Sequence, residues 1–143
     1  MANELVILPM FILVLLTLTV MIILLRRRIA AVKAGEIEAS FYKTYQGDIE
    51  PRAVKQASRH YSNLFETPVL FYAACLTALS VGVANTSFQC LAWAYVLTRI
   101  AHAIIHLGRN RIPRRMQVYG LSLLLLLLMW LHLTISVLTN LSE

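Results

Sequence analysis

Charge is scarce in this sequence. Asp, Glu, Lys and Arg together make up 14% of 143 residues, against 59% hydrophobic residues, which sets the chain outside ordinary soluble composition. Before the first apolar run the one charged side chain is Glu4, and the connection 84–89 and the C-terminal tail hold no Lys or Arg. Cysteine is nearly absent as well. Cys75 and Cys90 have no spacing that builds a metal site or a disulfide framework, and both read as small buried hydrophobes.

What is present is apolar and long. A helix needs about 20 apolar residues to cross a hydrocarbon core of roughly 30 Å, and four stretches approach that length, at about 5–25, 62–83, 89–107 and 117–138. The expectation is an all-α, integral membrane four-helix bundle forming one domain over 1–143. The first stretch lacks a basic start and a cleavage site, and Arg26-Arg27-Arg28 follows it, so it reads as a retained helix rather than a signal peptide.

The net charge of +6 invites a nucleic-acid reading that its distribution opposes. Eight of the thirteen Lys and Arg residues fall between Arg26 and Arg59, four between Arg109 and Arg115, and Arg99 lies inside the third span. By the positive-inside rule, loops one and three face the cytoplasm and both termini the opposite side. The basic excess is thus a topology signal with some attraction for anionic headgroups, and no nucleic-acid partner is expected.

Along the chain, Gly47-Asp48 and Glu50-Pro51 mark turns in the first loop. Residues Arg52 to Tyr61 carry no breaker and are expected to extend the second helix outward. Ala84–Ser87 is a short polar link between helices two and three. Gly108 stops the third helix and Pro113 favours the start of the fourth. The leucine run Leu123–Leu128 reads as lipid-facing or packing surface, and Trp130 as an interfacial anchor.

Ionisable groups at membrane depth cost about 2.5–3.5 kcal/mol each and mark functional sites. Arg59, Asn63 and Glu66 are spaced four and three apart, which on a continuous helix puts them within about 60° of one another. Tyr95, Arg99, His102 and His106 repeat the pattern on helix three, and Arg115 heads helix four in the same layer. A direct Glu66–Arg99 ion pair with histidines as interhelical glue would account for part of this set. The surplus of donors and positive charge suits an anionic or zwitterionic ligand entering from the cytoplasm. His60 and His132 stand apart from both stripes and carry no assigned role.

In order and spacing, Arg59-x-x-x-Asn63-x-x-Glu66-Thr67-Pro68, then Arg99-Ile100-Ala101-His102, Leu107-Gly108 and Pro113-x-Arg115, resemble the MAPEG family, membrane-associated proteins in eicosanoid and glutathione metabolism. The resemblance implies a four-helix subunit assembled as a homotrimer, with glutathione bound between subunits near the cytoplasmic face. It implies that Asn63, Glu66, His102, Arg115 and Tyr119 contact glutathione, with Arg115 stabilising the thiolate, and it places Arg59, Arg99 and His106 among the binding candidates. No metal is expected.

Three positions depart from the family pattern. His106 stands where glutathione-binding members carry tyrosine, Met116 where the synthase of the family has serine, and Ser62 where that enzyme has arginine. The chain is therefore similar to a divergent, bacterial-type branch, placed in the bacterial inner membrane. Its expected activity is a glutathione-dependent transferase or peroxidase for lipophilic electrophiles; the alternatives are a non-enzymatic membrane scaffold or regulator, or a small transporter.

Overall fold

The computed structural model describes residues 3–46 and 50–142. A 3-10 turn, Asn3–Val6, leads into α1, Ile7–Lys33; then follow α2, Phe41–Thr44, α3, Arg52–Asn63, α4, Thr67–Ser80, α5, Thr86–Leu107, and α6, Ile112–Ser142. The expected turn at Gly47-Asp48 lies outside the described residues.

Three helices are long and apolar enough to cross a membrane, within Asn3–Lys33, Thr86–Leu107 and Ile112–Asn140. With the MAPEG-like motifs they support an all-helical membrane bundle. The second stretch differs from expectation. Its α4 has 14 residues, which at 1.5 Å per residue reach about 21 Å, short of the hydrocarbon core.

The interruption has a local cause. Pro68 sits in the first turn of α4, supplies no N–H and disfavours helical geometry for the residue before it. Leu64, Phe65 and Glu66 therefore turn tightly, each N–H reaching back three residues, to the carbonyls of Tyr61, Ser62 and Asn63. Arg52–Tyr61 is a separate helix rather than an outward extension of α4.

Chain direction alternates along the bundle. Asn3 Nδ2 donates to the Gly82 carbonyl at 3.1 Å, so the start of α1 lies beside the end of α4. Gly82 takes φ +74°, and Val83 and Gly82 donate back to Ala78 and Leu79, a Schellman end that needs the left-handed glycine. Asn85 Oδ1 then caps α5 by accepting from Phe88 N at 3.0 Å. His132 Nε2 meets the same Oδ1 at 3.1 Å, which gives this histidine a place at the α5–α6 contact.

One core cluster, including Leu13, Phe71, Phe88, Tyr95 and Met129, fills the half near the termini; a second, including Leu24, Phe41, Val54 and Ala57, fills the basic-loop end. Much of the apolar surface instead points outward, as a lipid-facing bundle requires: Leu123, Leu124 and Leu127 are exposed while Leu126 is buried. Cys75 is buried as expected, but Cys90 is exposed, because it lies on the outward face of α5 beside buried Ala92 and Phe88. Thr17, Thr19 and Thr134 fold their hydroxyls onto the carbonyl four residues back, satisfying them without water.

At the basic-loop end, side chains from other helices take up the free carbonyls of α5. Arg27 donates from Nη2 to Leu107 O at 3.0 Å and from Nη1 to Ala53 O at 2.8 Å. Gln56 Nε2 donates to His106 O and, at 3.3 Å, to Gly108 O. The last turn of a helix leaves such carbonyls without intrahelical partners, so these contacts lock α1, α3 and α5 together beneath the candidate site.

Candidate functional site

The 64–66 turn opens a cleft of about 430 Å³ between the α3–α4 junction, the last turns of α5 and the first turns of α6. Arg59, Asn63 and Glu66 form one wall, His102 and His106 the floor, and Arg115 and Tyr119 the opposite wall. The 4–3 spacing of Arg59, Asn63 and Glu66 puts them on one face only of a continuous helix. The helix breaks between Asn63 and Glu66, yet the turn keeps both in the cleft.

The α5 stripe is buried throughout: Tyr95, Arg99, His102 and His106 all face inward. Tyr95 lies deepest, stacked on Phe71 at 4.7 Å. Arg99 is fully buried and lies behind the cleft rather than in its wall. It does not pair directly with Glu66. Asn63 stands between them, accepting from Arg99 Nη2 on Oδ1 at 2.5 Å and donating from Nδ2 to Glu66 Oε2 at 2.9 Å. The guanidinium also lies 5.7 Å from the centre of the Tyr119 ring.

Arg115 projects from the first turns of α6, where Pro113 opens the helix. Its Nη1 donates to Asn110 Oδ1 at 2.9 Å and meets His106 Nε2 at 3.4 Å. A guanidinium can only donate, so this contact makes Nε2 the acceptor and leaves the proton on Nδ1. The Nδ1 atoms of His102 and His106 are buried and have no hydrogen-bond partner.

His60 is a residue that sequence reasoning set aside. It is fully buried, with its ring 5.3 Å from that of His102 and 5.0 Å from that of His106. The available signal was its register with Val54, Ala57 and Leu64, the inward face of α3. Burial, reinforced by His106, His102 and Arg99, pushes the His60 imidazole down to about 3. Among the described residues, no group of three or more His, Cys, Asp or Glu side chains has the geometry to hold a metal ion.

The donor set suits an anionic or zwitterionic ligand. Two cations, Arg59 and Arg115, can meet carboxylates; the Glu66 carboxylate can meet an ammonium. The three positions that depart from the family pattern, Ser62, His106 and Met116, all line this cleft.

No curated protein and no solved structure matches the chain. A sequence model of the MAPEG family matches residues 6–135, and the chain thus belongs to this family of membrane proteins of eicosanoid and glutathione metabolism.

Proposed function

We propose that the protein is a glutathione-dependent membrane transferase or peroxidase acting on lipophilic electrophiles, with the peptide held in the cleft between the α3–α4 junction, α5 and α6. The observation that carries this reading is the placement of Arg115 in the same cleft as Glu66 and Asn63. Bound glutathione would supply a thiol whose ionised form is the nucleophile. A free thiol of pKa about 8.5 is mostly protonated at neutral pH, and a guanidinium beside it favours the thiolate. Arg115 has that task, held in place by Asn110 and His106.

The remaining residues bind and orient. Arg59 answers a carboxylate, Glu66 the ammonium, and Asn63 fixes the Glu66 carboxylate through its amide. His102 and Tyr119 form the floor and side wall, with their rings 5.5 Å apart. Exposed Met116 beside Arg115 gives the mouth an apolar edge for a substrate arriving from lipid. The cleft opens at the basic-loop end, for which the positive-inside asymmetry favours the cytoplasmic side, and family membership favours a homotrimer.

Conjugation of a chlorinated aromatic by the purified protein, and reduction of a lipophilic hydroperoxide, test the reading. Arg115→Ala should lower the active reaction by about 10²–10³-fold, the scale of losing one charge-stabilising donor. Absence of both reactions together with absence of glutathione binding in a folded protein overturns it. A second reading, a scaffold or regulator without chemistry, is favoured by one observation: Ser62, His106 and Met116 cluster in this cleft. Glutathione binding without turnover would select it.

A further inference from the structure

Beside the first cleft lies a second, of about 320 Å³, lined from α3, the end of α5 and the start of α6. The two share Arg59, His106 and Arg115 as a common wall. Arg52 and Lys55 complete the second cleft from α3, and Asn110 from the α5–α6 connection. None of these last three lines the first cleft.

Four cations thus converge on a small volume with one carboxylate, Glu50, and that carboxylate is drawn toward Arg28 at 3.8 Å. Converging like charges repel one another unless an anion sits among them. The shared wall adds a buried ring: His106 is 7% exposed and its Nε2 lies 3.4 Å from Arg115 Nη1, so the imidazole backs that guanidinium at the boundary of the two clefts. The surrounding frame is fixed: Gln56 is tied to the carbonyls of His106 and Gly108, and Asn110 Oδ1 to Arg115.

The geometry points to a second anion site in this cleft, adjoining the peptide site and sharing Arg59, His106 and Arg115 with it, that takes a phosphate-bearing ligand. Guanidinium forks match the several acceptor oxygens of a phosphate, and Lys55 adds a point charge. The site is built from α3, outside the helices of spanning length, and from the adjoining ends of α5 and α6 at the basic-loop end, where lipid headgroups meet such a bundle. A free phosphate and a phospholipid headgroup present the same chemistry there. Anion binding here does not rest on the proposed thiol chemistry, although Arg59, His106 and Arg115 are common to both clefts.

Titration of purified protein in nonionic detergent with inorganic phosphate, followed by phosphorus NMR, tests it. Saturable binding is expected. The double variant Arg52→Gln with Lys55→Gln, at two exposed positions, should weaken it by about tenfold or more, while Arg109→Gln with Arg114→Gln, outside the cleft, should leave it unchanged. Nanodiscs of phosphatidylcholine with and without phosphatidylglycerol separate the sources. If the anionic lipid abolishes phosphate binding, the headgroup fills the site; if binding persists, the ligand is a soluble phosphate. Lack of saturation, or equal weakening by both double variants, overturns the proposal. Because binding is read directly, the outcome is separate from whether glutathione binds or reacts.

Discussion

Asn63 holds the fully buried Arg99 through a 2.5 Å hydrogen bond from Nη2 to its Oδ1, and at the same time steers Glu66 through its Nδ2. One amide thus connects a cation buried behind the cleft to a carboxylate at its rim. Asn63→Leu removes the acceptor and leaves the guanidinium without a side-chain partner at that atom. The loss should be about 1.5–3 kcal/mol, the range for hydrogen bonds to charged groups. Thermal unfolding in detergent should show a clearly lower apparent Tm, and an unchanged Tm would contradict this role.

Glu66→Gln separates binding charge from local structure. Its amide oxygen can still accept from Asn63, so the α3–α4 turn should persist and Tm should change little. The negative charge for the peptide ammonium is lost. The expected result is a KM for glutathione raised about 10-fold or more, equivalent to roughly 1.4 kcal/mol or more, with kcat less affected.

Gly108 ends α5 where a Cβ would lie 2.9 Å from the Ile104 carbonyl oxygen. That oxygen already accepts from Gly108 N at 3.1 Å and belongs to rigid helix backbone. Gly108→Ala should therefore shift the α5–α6 connection and weaken the Gln56 contacts, costing about 1–3 kcal/mol as an overpacked site does. A Tm equal to that of the unchanged protein would show that the connection yields.

His60 makes stability depend on pH. Its imidazole, ordinarily near 6.5, is held down to about 3 by burial and by the neighbouring His106, His102 and Arg99. Between those values the unfolded chain binds a proton that the folded chain does not. Stability contributed by the neutral ring is therefore present above about pH 6.5 and declines as pH falls below it. Apparent Tm should drop from pH 7 to pH 5, with a shallower drop in His60→Leu; parallel profiles would remove His60 from the account.

The sequence made the α5 stripe legible because the 4–3–4 spacing of Tyr95, Arg99, His102 and His106 lies on an unbroken helix, where polar residues at membrane depth must turn inward. It also marked Gly108 and Pro113 as stop and start. The break before α4 was harder to read. Thr67-Pro68 signalled it, but Pro68 lies in an otherwise apolar run that is long enough to span. His60 escaped because its significance is tertiary: the rings of His102 and His106 reach it only when α3 packs on α5. Nor does charge alone separate the tasks of the arginines at the end of α1. Arg27 caps α5, whereas Arg28 pairs with Glu50 and lies over Tyr42.

Thermal unfolding of the purified protein across a glutathione titration reads most directly whether the Arg115–Glu66 cleft binds glutathione. A ligand that binds only the folded state stabilises it by about 2.7 kcal/mol at one hundred times its Kd. A dose-dependent rise in apparent Tm is expected, which Glu66→Gln shifts to higher glutathione concentration and Arg115→Ala diminishes. An apparent Tm that stays constant up to saturating glutathione in the folded protein would contradict it.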